Sequence, residues 1–129
     1  MSELNKPASI EHEQLIRRLL SDPKKAEALK WLKGSSTIDE RTIGAFKTNR
    51  ASIEFVTEIY RAGALEIIAV HIKKILRRNS YRTGKLVVKL PQDAKSRNAI
   101  FNWCRQQGDS LGFSPDPDCG ESHLFLLLD

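Results

Sequence analysis

Six cations and one aromatic fall within thirteen residues, Lys73-Lys74-Ile75-Leu76-Arg77-Arg78-Asn79-Ser80-Tyr81-Arg82-Thr83-Gly84-Lys85. Closely spaced Lys and Arg neutralise phosphates, and a tyrosine ring stacks on a base. Lys73, Lys74, Arg77, Arg78, Tyr81, Arg82 and Lys85 are therefore the first candidate contacts for an anionic partner. The plainer reading is a solvated hairpin kept soluble by its charge, with Ile75 and Leu76 packing locally.

Lys47-Thr48-Asn49-Arg50-Ala51-Ser52 is a second candidate, because it precedes a helical pattern. Free amides and the dipole at a helix start favour an anion, and Arg50 with the hydroxyls of Ser52 and Thr48 would complete the site. Asn and Ser also cap helices routinely, and no Gly-rich phosphate loop accompanies them.

The third is Asp116-Pro117-Asp118-Cys119-Gly120-Glu121-Ser122-His123. A calcium loop needs a longer ligand series. Zinc needs four ligands, and Cys119 with His123 supplies two; Cys104 would have to approach from a helix, where it reads as a small core residue. Cys119 with His123 or His71 would make a nucleophile–base pair, yet no third orienting group or local signature accompanies it. A turn before a strand accounts for the segment. No catalytic residue, metal or cofactor is expected, and a thiol- or metal-dependent enzyme at Cys119 and His123 is the third functional reading.

These residues need elements to hold them. Ile10, Leu15, Ile16, Leu19 and Leu20 follow a helical spacing. Asp22-Pro23 then reads as the N-cap and first position of a second helix, which Gly34 ends in a left-handed cap. Thr42 to Lys47 reads as a weak strand containing Gly44. A helix capped by Asn49 or Ser52 follows, with Ile53, Val56, Ile59 and Tyr60 inward and Gly63 as its stop. Residues 65–72 and 85–90 are strands rich in β-branched residues. Asp93 caps a helix to about Gln107, and 123–128 is the last strand.

From 42 onward this order is βαββαβ, so the expected fold is α+β, a ferredoxin-like split βαβ with an antiparallel sheet, preceded by a two-helix segment. Residues 1–36 form the helical pair and 37–129 the sandwich, as one folding unit. The strands are apolar on both faces, as in Ile67 and Ala69 against Ile68 and Val70. The second face therefore needs a cover. The N-terminal pair supplies it in a monomer; otherwise a second copy does, as a homodimer through the sheet face. RNA-binding modules of this topology stack bases on aromatics of two central strands. Here only Phe46 is aromatic in the corresponding strands.

The net charge of +5 is uneven: residues 63–92 hold seven Lys/Arg against one acid, and residues 93–129 hold three against six. Such polarity steers an anionic partner. No apolar run approaches the ~20 residues of a membrane helix, and the first residues are polar, without a signal-peptide pattern. Two cysteines outside any disulfide pattern suit a cytoplasmic protein. The reading is a non-catalytic regulatory or interaction module that binds a protein partner or small anion through the basic hairpin. Nucleic-acid binding through the phosphate backbone is the alternative.

Overall fold

The computed structural model describes residues 2–36, 39–75, 80–111 and 120–128. Arg77, Arg78, Asp116, Asp118 and Cys119 lie outside the described residues. In chain order the elements are α1 (Ser2–Leu20), β1 (Ala26–Glu27), α2 (Ala28–Lys33), β2 (Glu40–Ile43), α3 (Asn49–Ala62), β3 (Glu66–Val70), β4 (Lys73–Ile75), β5 (Ser80–Thr83), β6 (Lys85–Lys89), α4 (Ala94–Leu111) and β7 (His123–Leu127).

The chain is α+β, built on a four-stranded antiparallel sheet in the order β1-β3-β6-β7. The fourth member of that sheet is Ala26–Glu27. Residues 42–47 were expected in it, but β2 instead joins a second sheet in the order β2-β5-β4. Within the basic segment, Lys73–Ile75 forms β4 and Ser80–Thr83 forms β5, paired antiparallel.

Period-2 alternation sorts the large sheet's side chains onto two faces. Ile67, Ala69, Leu86, Val88, Leu124 and Leu126 pack with Leu32 of α2, Val56 and Ile59 of α3, and Ile100, Phe101 and Cys104 of α4. The intervening Val70 and Val87, with Ile68 and Phe125, meet Ile16 and Leu19 of α1. The N-terminal pair therefore divides. Among the described residues α1 covers the second face, while α2 belongs to the main core.

The second helix starts later than the sequence implies. Asp22 caps a turn, not a helix: its Oδ1 accepts from Lys24 N–H (2.9 Å) and its Oδ2 from His71 N–H (2.7 Å). These two amide bonds hold its carboxyl below the usual range. Ala26 and Glu27 then pair with Ala69 and Ile68, so sheet formation overrides local helix propensity. Glu27 itself caps α2, accepting from Leu29 and Lys30 N–H (3.1 and 2.7 Å). Gly34 ends α2 at φ −79°, not left-handed, and a Cβ there would stand 2.7 Å from Arg41 Nη1. Its lack of a side chain makes room for that arginine.

Glu27 also accepts the Tyr60 O–H at 2.5 Å, and Tyr60 Oη accepts Ile67 N–H at 3.0 Å, tying α2, α3 and β3 together. Burial raises the Glu27 carboxyl, but the Tyr60 hydroxyl and the two cap amides outweigh it and leave the net shift downward. Burial, then the adjacent carboxylate, pushes the Tyr60 phenol up to about 12. Tyr60→Phe is expected to cost about 1–3 kcal/mol in urea denaturation at neutral pH, since it removes one hydrogen bond from the Glu27 carboxylate and strands the Ile67 amide. A depressed carboxyl stabilises above its unfolded value, ordinarily 4.5, and that contribution fades as pH falls through the folded one. The gap between variant and parent should therefore narrow below about pH 4.5.

Candidate functional site

The small sheet organises the basic residues. In register, Arg41 lies beside Tyr81 and Tyr81 beside Lys74; one step along, Thr42 lies beside Arg82 and Arg82 beside Lys73. Neighbouring strand residues point to opposite faces, so the rows Arg41–Tyr81–Lys74 and Thr42–Arg82–Lys73 occupy opposite sides. Among the described hairpin candidates, Lys74 and Tyr81 therefore face away from Lys73 and Arg82.

The first row walls a cleft of about 540 Å³ whose other side is Lys24, Lys25 and Trp31. Turn 21–25 and the β1–β3 pairing bring those residues across from the hairpin. Arg41 is the fixed point: Nη1 donates to Trp31 O (2.9 Å), Nη2 to Asp39 Oδ2 (2.8 Å), and the guanidinium lies 5.8 Å from the Trp31 ring centroid. The hydrogen bond between Arg41 and Asp39 raises the first group and lowers the second. Because Asp39 answers much of that charge, attraction for an anion falls to Lys24, Lys25 and Lys74. Both rings, Trp31 and Tyr81, line the same space.

Arg82 and Lys73 of the second row line a smaller pocket with His71 and Lys85. Arg50 and Ser52 join neither. Arg50 is exposed and lies 3.7 Å from Glu54. The Ser52 hydroxyl is fully buried, accepting Ile43 N–H (2.9 Å) and donating to Thr48 O (3.1 Å). Thr48 is the actual cap of α3, accepting Ala51 N–H at 3.1 Å. Asn49, the other expected cap, donates to Leu32 O and Arg41 O, both at 2.8 Å.

Cys104 is buried in the main core, and burial pushes its thiol up to about 12. His123 lies at the α1–β7 junction. Its Nδ1 is 2.8 Å from Ser122 Oγ, which donates to Glu13 Oε2 at 3.1 Å, and His12 Nε2 contacts His123 O. Burial lowers the His123 imidazole, opposed by Glu13 and assisted by Lys89 and His12. Among the described residues no three His, Cys, Asp or Glu side chains group as metal ligands, and no helix is long and apolar enough to cross a membrane.

Sequence reasoning missed Lys24, Lys25, Trp31 and Arg41. Its available signals were the Lys24-Lys25 pair and Trp31 between Lys30 and Lys33, but nothing local connects them to residue 74. Comparison of the chain with protein-family models, curated proteins and solved structures gave no match.

Proposed function

We propose that the protein is a non-catalytic binding module that takes a phosphate-bearing ligand in the cleft between the small sheet and the Lys24–Trp31 segment. The observation that carries this reading is the convergence of Lys24, Lys25 and Lys74 with two aromatic rings, Trp31 and Tyr81, on one cleft. Lysines supply point charges for phosphate oxygens, and the rings supply a flat surface for a planar group. The cleft is open to solvent, and among the described residues a general base, nucleophile and orienting group do not meet in it.

A second reading, single-stranded nucleic acid, is favoured by the alternation of cation and ring along Arg41, Tyr81 and Lys74. Such a row matches the alternation of phosphate and base along a strand. Fluorescence titration of Trp31 in a Trp103→Phe background, with a mononucleotide and with a short oligothymidylate, separates the two. Tighter binding of the oligomer, falling with salt at about 0.7 per phosphate contact on logarithmic axes, supports the strand. Equal affinities support a small ligand held at one phosphate. No response to either at low salt would sink both.

A further inference from the structure

β7 ends the four-stranded sheet, with β6 on one side and, among the described residues, no strand on the other. At its two ends Leu90 N donates to Ser122 O (2.9 Å) and Leu128 N to Gly84 O (2.7 Å). In an antiparallel ladder, residues whose backbone faces the neighbour alternate with residues whose backbone faces away. Leu124 and Leu126 therefore turn their amides and carbonyls to β6, and His123, Phe125 and Leu127 turn theirs outward. His12 of α1 contacts the outward His123 carbonyl. The outward groups of Phe125 and Leu127 meet no partner among the described residues. We propose that this edge is where a second copy of the chain joins, β7 against β7, making one continuous antiparallel sheet.

Composition is the first argument. Sheet edges that stay single are protected by charges, by proline or by shortness. The other edges of this molecule have such protection: β4 starts Lys73-Lys74, β2 starts Glu40-Arg41, and β1 is two residues long. β7, His123-Leu124-Phe125-Leu126-Leu127, holds no Lys, Arg, Asp, Glu or Pro. Burial lowers the His123 imidazole, so it too is uncharged at neutral pH. Leu127 at this edge is 48% exposed, one of the few large apolar side chains in water.

Charge selects the occupant. The edge offers backbone groups and hydrocarbon but no ion-pair partner, so it fits a strand as uncharged as itself. Among the strands described, β7 meets that condition and also has a free side. The geometry is self-complementary as well. Setting Phe125 opposite Leu127 of the second copy, about a two-fold axis at Leu126, uses both outward amides and both outward carbonyls. It leaves the His123 carbonyl with His12. Each Leu127 then lies beside the second copy's Phe125, an aromatic–aliphatic pair of the kind that stabilises sheets. The sheet face near β7 is occupied by α1, so the edge is the accessible route. Such a symmetric contact closes on itself, and assembly stops at two chains.

The test combines sedimentation of the full chain over a concentration series with amide hydrogen exchange. Mass should move from one chain to two as concentration rises. The Phe125 and Leu127 amides should exchange freely in dilute protein and slow at least about tenfold as the dimer fills, whereas Leu124 and Leu126, bonded to β6, are protected throughout. Leu127→Pro removes an outward donor and no bond to β6, a placement edge strands tolerate, and should weaken association at least about tenfold. Leu127→Lys adds the protective charge without altering the backbone, and should do the same even if the proline variant folds poorly. Leu65→Lys, at a 57% exposed leucine before β3, should leave the dimer intact. Equal weakening by that control would mean general stickiness and overturn the proposal. So would a dimer that survives both Leu127 variants, or growth beyond two chains. A protein that stays monomeric at millimolar concentration, with both amides exchanging freely, would overturn it too and leave the edge to a strand from another protein.

Discussion

Lys24→Glu combined with Lys74→Glu is expected to reduce oligothymidylate affinity by at least about 100-fold at low salt. Each substitution removes one attraction and puts a carboxylate where a phosphate must approach, and like-charge juxtaposition costs several kcal/mol. At 1.4 kcal/mol per decade, two such changes exceed a hundredfold comfortably. Both lysines are exposed, one in the 21–25 turn and one on β4, so folding should be untouched. Arg41 is a poor choice for this experiment, because it also anchors Trp31 O and Asp39. The control is Lys95→Glu with Arg105→Glu on α4, which changes net charge equally at exposed positions that line neither pocket. If the control weakens binding as much as the cleft variant, attraction comes from overall charge and the cleft has no special part.

Phe101→Ala should have the largest effect on stability. The ring is 1% exposed in the main core, on the buried side of α4 beside Ile100 and Cys104. Removing a phenyl group from a close-packed interior loses its transfer free energy and leaves a cavity, together about 3–5 kcal/mol. Domains of this kind have about 5–15 kcal/mol in total, so the urea midpoint should fall by a large fraction of its value. The denaturant slope should stay constant, since the surface exposed on unfolding hardly changes. A loss below about 1 kcal/mol would show that α4 does not seal the sheet.

Much of the architecture was legible from periodicity. The apolar runs at 66–70, 85–89 and 123–127 are strands of one sheet, and α3 and α4 lie where helical spacing placed them. What escaped reading depends on partners distant in the chain. Ala26–Glu27 has the local character of a helix start and becomes a strand only because β3 offers an open edge. Lys-Lys-Ile and Ser-Tyr-Arg-Thr are too short and polar to announce themselves, and they become strands by pairing with each other and with β2.

The site follows the same rule. The hairpin's basic character is plain in the sequence, but pleating divides it, sending Lys74 and Tyr81 to one face and Lys73 and Arg82 to the other. Trp31 and Lys24 reach the first face through pairings that no local pattern encodes. Ser52 shows the converse: a hydroxyl at a helix start looks available in the sequence, and only packing reveals that it faces inward.

The parallel pairing of β2 with β5 also bears on how the molecule assembles. Glu40 and Ser80 are forty residues apart in the chain, with α3 and β3 between them. Closing so long a segment costs entropy before any ladder bond repays it, whereas neighbouring strands join early. The small sheet should thus be among the last parts to gain native order and among the first to open transiently. A ligand gripping Arg41's strand and Lys74's strand together would act as a clasp across that late seam, and occupancy would slow local opening there more than in the interior.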